Sequence, residues 1–259
     1  MRLQAEFNVT RADQIDLDAM AEAQHAEISY EELDGATARV IQIGDQCRIV
    51  VSSRITDLGA QRFSIAHEIG HVRLRHEIPP GQMAQLFERI CTPLQTDRRK
   101  AEREASVFAT ELLMPAALVR PWCEVPCLTL AASRAIAGEF ATSVLASTMR
   151  LVELSGQRCA VAYSELGRVR WVKPSPTFPT WIPNGRRLDP ASAAFEYSQK
   201  GTIDREPHVL PAETWLPRDK IDSSGAQIVE HSAVVTERGA VFSLLWIPDR
   251  EVRHLDLVP

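Results

Sequence analysis

Long apolar runs are missing from this chain of 259 residues. None approaches the roughly 20 residues that a membrane span needs. An excess of base is missing too: 29 Lys and Arg stand against 34 Asp and Glu, a formal net charge of −5. A protein whose main work is to coat nucleic acid is usually basic, so this balance speaks against that class. Cysteine is scarce, and Cys47, Cys91, Cys123, Cys127 and Cys159 are widely spread and odd in number. That is the usage of reduced thiols in a cytoplasmic protein, not of a disulfide framework. Cys123 and Cys127 lack the two-residue gap typical of zinc pairs and have no partner pair, so they read as ordinary thiols. The first residues lack an apolar stretch and carry Arg2, Glu6, Arg11, Asp13, Asp16 and Asp18 instead, so no export signal is expected.

What is present is ordinary globular composition, 45% apolar and 24% charged, which argues against disorder. Ile15, Leu17, Met20 and Ala21 predict a short helix within residues 15–26. Ala38–Ile43 and Cys47–Val51 read as strands of a hairpin turned by Gly44-Asp45-Gln46. Gln61–His76 reads as a helix with Phe63, Ile65, Ala66, Ile69, Val72 and Leu74 on an apolar side, stopped by Pro79-Pro80-Gly81. Arg98–Met114 reads as another helix, ended by Pro115, with Ala105, Phe108, Ala109, Leu112 and Leu113 at helical spacing. Leu128–Leu154 reads as two helices broken near Gly138, the second capped by Ser143. Ala160–Tyr163, Val169–Val172 and Val241–Ile247 read as strands. Eight of the 16 prolines fall between Pro174 and Pro217, so that stretch is expected to be loop-rich.

The sharpest chemical signal is His67-Glu68-Ile69-Gly70-His71. Residues four apart on a helix lie about 40° apart around its axis, so both imidazoles leave one face and can reach one zinc ion. Glu68 then sits beside the metal-bound water as its general base. A third protein ligand is needed. His76 is one option, but the extended zincin pattern wants Gly and His where this chain has Leu74 and Glu77. His76 therefore reads as a solvated end-of-helix residue whose charge suits the helix dipole. The other option is a carboxylate of the next helix: Glu102, Glu104 or Glu111. Glu102 shares a stripe with Ala105 and Ala109, small residues that let two helices approach. Glu104 and Glu111 lie about 200° and 180° from it around the axis, and Glu111 reads as solvated.

The stretches RFSIAHEIGH (Arg62–His71) and EREASVFATELLMP (Glu102–Pro115) resemble the ImmA/IrrE family of zinc metallopeptidases, most strongly over residues 32–155. The resemblance implies an α+β chain: a minimal zincin-like metallopeptidase domain over 1–121, a helix-turn-helix-like segment over 122–157, and a β-rich domain over 158–259 that is sensory or docks substrate. It implies zinc on His67, His71 and Glu102, with Glu68 as the base. The family usually has Asn or Asp where this chain has Ser106, a shorter residue that can still orient a ligand histidine. The implied activity is zinc-dependent cleavage of a regulatory protein, typically a helix-turn-helix repressor, switching on a stress or mobile-element response.

Tyr163, Tyr197, His208 and His231 are candidates for steadying the oxyanion. An extended substrate is expected to pair with Cys47–Ser52 as an edge strand. The second helix of the 122–157 segment offers Arg150 against Glu153, too little for base reading, so nucleic acid is not expected as a direct ligand. The rival reading is a DNA-binding or protein-docking regulator with a vestigial metal site.

Overall fold

The computed structural model describes residues 6–43, 46–77, 94–217, 226–235 and 239–248. The expected turn at Gly44-Asp45, the Pro79-Pro80-Gly81 stop and Cys91 lie outside the described residues. The chain is α+β, and its residues fall into two compact units. One is Met1–Leu118 with Ala137–Ser143; the other is Val119–Ile136 with Val144–Pro259.

The first unit begins with helix α1 (Leu17–Glu22), whose N-cap Asp16 accepts from the Asp18 and Ala19 amides. Strands β1 (Ala26–Glu31), β2 (Ala38–Ile43) and β3 (Gln46–Ser52) follow. The sheet order is β1-β3-β2, with β1 parallel and β2 antiparallel to β3. So Cys47–Ser52 is the central strand, not the edge expected of it. Ile49, Val50 and Val51 are fully buried, and their backbone groups pair on both sides. The sequence reading missed β1, which takes the flank that a substrate would have used. Among the described residues β2 pairs with β3 alone, so it is the outer strand of the hairpin.

Helix α2 (Leu58–Arg73) is started by Asp57, whose carboxylate accepts from the Ala60 amide at 2.7 Å. It buries Ile65, Ala66, Ile69 and Gly70. Helix α3 (Leu94–Leu113) starts earlier than its apolar pattern suggested. It packs along α2 through Ala105 and Ala109, both fully buried. Gly70 sets the separation: a Cβ there would lie 3.1 Å from Phe108 Cδ1 and 3.2 Å from the Ala105 backbone.

Helices α4 (Ala116–Cys123), α5 (Leu130–Phe140) and α6 (Val144–Leu154) follow. The break between α5 and α6 falls at Ala141, which takes a left-handed φ of 49°. Gly138 is helical instead, because one glycine costs a helix about 1 kcal/mol and does not end it.

The second unit is built on an antiparallel sheet of order β5-β4-β8-β7-β6. Its strands are β4 (Cys159–Glu165), β5 (Arg168–Pro174), β6 (His208–Pro211), β7 (Gln227–Val235) and β8 (Ala240–Trp246). Helix α6 lies against β4 and β5, and α7 (Ala193–Lys200) against β7 and β8. The buried Glu230 carboxylate ties this unit together. It accepts from the Ala193 and Ala194 amides at the start of α7, from Trp215 Nε1 at 3.0 Å and from Ser232 Oγ at 2.8 Å. A carboxyl group at a helix N-terminus with that many donors is a satisfied structural group.

Candidate metal centre

The helix spacing brings His67 and His71 together, and α3 brings Glu102 to them. His71 Nε2 is 3.0 Å from His67 Nε2. Glu102 Oε2 lies 3.2 Å from His67 Nε2 and 3.7 Å from His71 Nε2. Zinc takes nitrogen and oxygen ligands at about 2.0–2.1 Å, and a tetrahedron of that size has edges of about 3.3–3.4 Å. The three edges of this triangle scatter around that length. Among the described residues this is the one group of three or more His, Cys, Asp or Glu positioned to hold an ion. The donor set, two imidazoles and a carboxylate, suits zinc and leaves a fourth position for water.

The electrostatics match. Hydrogen bonds from His67 and His71 hold the Glu102 carboxyl well below the usual carboxylate range, against the opposing effect of burial. Glu102 is thus an anion ready to ligate. Burial pushes the Glu68 carboxyl up, while His71, His67 and the Val40 amide pull it down. A carboxylate held above its ordinary pKa by burial takes up a proton more readily. Its contact with the Val40 amide ties it to β2, the outer strand of the hairpin.

The groups behind the two candidate ligand histidines differ. Ser106 Oγ donates to the Glu102 carbonyl at 2.8 Å and lies 3.4 Å from His67 Nδ1, so its lone pair faces the ring. Behind His71 stands a residue assigned above to solvent. The His76 side chain is 10% exposed; its Nδ1 lies 3.1 Å from His71 Nδ1 and its Nε2 3.2 Å from Glu104 Oε2. The expectation of a solvated His76 does not hold. Helical-wheel reasoning could not find it, because His76 lies past the end of α2. Glu111, also expected in solvent, accepts from the Ala116 amide at 3.1 Å.

The four oxyanion candidates belong to the second unit. Tyr163 stacks on Trp171 with ring centroids 5.1 Å apart. Tyr197 packs against that unit's apolar core. His208 Nε2 lies 3.3 Å from Asp204, and His231 Nδ1 accepts from the Leu130 amide. The described cysteines are free thiols. Burial pushes the Cys159 thiol up to about 11, so it is inert at neutral pH.

Residues 15–125 match the IrrE N-terminal-like domain of peptidase family M78. That span covers every member of the cluster. No curated protein matches the chain. Among solved structures, a Mycobacterium tuberculosis transcriptional regulator is similar, with a TM-score of 0.60 and 11% identity, over 95% of this chain and 74% of that one. At that identity the likeness shows the fold alone.

Proposed function

We propose that this chain, a member of the IrrE N-terminal-like peptidase family through residues 15–125, is a zinc-dependent endopeptidase that cuts a regulatory protein. The observation that carries this reading is the His67–His71–Glu102 triangle, with edges of 3.0, 3.2 and 3.7 Å and Glu68 beside it. Zinc on these three ligands would supply a water acidified toward neutrality and a Lewis acid for the scissile carbonyl.

The chain's own residues supply the rest. Glu68 accepts the water's proton and can return it to the leaving amine, and burial tunes it for both roles. Glu102 stays ionised and offsets the metal's charge. Ser106 accepts from His67 and holds its ring in place. Strand β2 offers the edge for an extended substrate. Its Val40 amide is taken by Glu68, so a peptide paired by main-chain bonds along the rest of β2 would pass beside the base. Such pairing is sequence-tolerant, so specificity has to come from other contacts.

The substrate is inferred from the family resemblance to be a helix-turn-helix repressor, cut in the cytoplasm. Direct reading of DNA by residues 122–157 is disfavoured by packing. Helix α6 buries Ser147, Thr148, Arg150, Leu151 and Val152 and leaves Glu153 exposed, so no row of base-reading donors faces outward. Among the described residues no helix is long and apolar enough to cross a membrane.

Two substitutions test the reading. Glu102→Ala should lose the zinc that metal analysis finds at one per wild-type chain; unchanged zinc content would assign the wrong carboxylate. Glu68→Gln should keep the zinc and lose repressor cleavage by roughly 10²–10⁴-fold, the usual cost of removing a general base. Cleavage within a few-fold of wild type would remove Glu68 from the mechanism. The substrate to assay first is a repressor-like protein encoded beside this one.

A further inference from the structure

Helix α2 ends in a turn that aims a side chain back at the metal face. The Arg75 amide bonds to the Val72 carbonyl at 3.1 Å and the His76 amide to the His71 carbonyl at 3.0 Å. These are the paired bonds of a Schellman cap, with Leu74 as C-cap, Arg75 in the left-handed position and His76 after it. Arg75 has a φ of 55°. Glycine is the usual tenant there, and other residues carry a cost of about 1–2 kcal/mol. The turn holds despite that cost. Its geometry lays the residue after the left-handed position over the third residue from the helix end. Here those two are His76 and His71, with ring centroids 5.0 Å apart and planes crossing at 74°.

We propose that His76 and Glu104 are positioning residues for the metal site, holding His71 in the tautomer that can ligate. This inference rests on the metal reading above. The argument is a count of protons. His71 turns Nε2 toward His67 and Glu102, so to ligate an ion there it must offer the Nε2 lone pair and carry its proton on Nδ1. That N–H needs an acceptor. His76 Nδ1, at 3.1 Å, is positioned to accept it, provided His76 carries its own proton on Nε2. That proton then points at Glu104 Oε2, 3.2 Å away. An ionised carboxylate accepts only, so it fixes both tautomers: Glu104 takes the His76 Nε2–H, and His76 Nδ1 takes the His71 Nδ1–H. Every proton in the chain points away from the metal face. Direct pairs of a carboxylate with a ligand histidine are common around metals; here an intervening imidazole spans from α3 to α2. Lys100 Nζ lies 3.9 Å from Glu104 Oε1 on the outer side.

Zinc affinity, measured at pH 8 by competition with a fluorescent chelator, tests this on the full chain. His76→Phe keeps the ring's bulk but accepts nothing, and should weaken zinc by about 10–100-fold, the usual effect of losing such a partner. His76→Gln can accept with its carbonyl and donate with its amide, and should return to within a few-fold of wild type. Glu104→Gln should weaken zinc in the wild-type background and add nothing to His76→Phe, because it acts through His76. Imidazole 15N shifts of the zinc-loaded protein should place the His76 proton on Nε2, with His76 Nδ1 left to accept from His71. Thermal melting identifies any variant that fails to fold, and the tautomer readout on wild-type protein stands without variants. Three results would overturn the proposal: His76→Phe binding zinc like wild type, His76→Gln no better than His76→Phe, or a His76 proton on Nδ1 in the zinc-loaded protein. A wild-type chain that binds no zinc would instead overturn the metal reading on which this proposal rests.

Discussion

The Leu130 amide at the start of α5 needs an acceptor, and His231 Nδ1 supplies it at 3.2 Å. His231 is buried, 4% exposed, so the ring must be neutral to serve. Burial lowers its pKa from the ordinary 6.5, and Arg134 and His208 lower it further, while the Arg205 carbonyl and Glu206 push the other way. As pH falls the unfolded chain therefore takes up this proton before the folded one does. The contribution to stability is full above about 6.5 and is lost as pH drops below it toward the folded value. Urea midpoints at pH 8 and pH 5.5 should separate more for wild type than for His231→Asn, whose side-chain oxygen accepts from Leu130 without titrating. Equal separations would remove His231 as a source of acid sensitivity. At this scale the sequence is legible where one helix holds the geometry. His67, Glu68 and His71 can be placed by counting turns, and Glu102 by its stripe with Ala105 and Ala109. His76 and Val40 cannot, because one depends on a left-handed residue past the helix end and the other on a strand that folds over the site.

Elements are legible where apolar periodicity is strong and lost where it is broken. Helices α2 and α3 and strands β4, β5 and β8 stand close to where their patterns put them. Strand β1 carries Glu27, Ser29 and Glu31 between Ala26, Ile28 and Tyr30, a short and polar alternation that exists as a strand because β3 pairs with it. Its omission is what made β3 look like an edge. Helix α4 was hidden by Pro121 inside it. The contact between α2 and α3 is the element-scale device of the site, because it fixes Glu102 relative to the histidines. Gly70→Ala tests it. The methyl would gain about 0.5–1 kcal/mol in helix propensity. It would also meet the Ala105 Cα and O at 3.2 Å and Phe108 Cδ1 at 3.1 Å. The backbone of α3 can yield only by moving the helix that carries Glu102, and overpacking of that kind costs about 1–3 kcal/mol. Overpacking should win, with denaturation showing lower stability and chelator competition showing weaker zinc binding. A more stable variant with unchanged zinc affinity would mean that the two helices have slack.

At the scale of the whole molecule, the division into units does not follow the chain from end to end. Ala137–Ser143 folds with Met1–Leu118, although the residues between them belong to the other unit. Composition and hydrophobic pattern carry no trace of that return, since it depends on packing between residues some 80 apart in sequence. The contacts are specific. Gly59 lies so close under this segment that a Cβ on it would stand 2.7 Å from the Ser143 amide nitrogen. Thr142 Oγ1 donates to Met114 Sδ at 3.6 Å, and Phe140 is buried at 3% exposure. A chain cut after Leu118 keeps His67, Glu68, His71 and Glu102 but loses this cover. Burying one phenylalanine is worth about 1.5–3 kcal/mol, and each kcal/mol shifts the melting point of a domain this size by about 4–8 °C. The fragment should therefore melt roughly 10 °C or more below the first transition of the full chain at the same zinc concentration. A longer cut, after Leu154, keeps Ala137–Ser143 but strips β4 and β5 from α6 and exposes Leu151 and Val152, both fully buried in the intact chain. That fragment should recover much of the melting temperature but self-associate, as light scattering would show. If the Leu118 fragment melts within a couple of degrees of the full chain, the returning segment is dispensable and the first unit is complete without it.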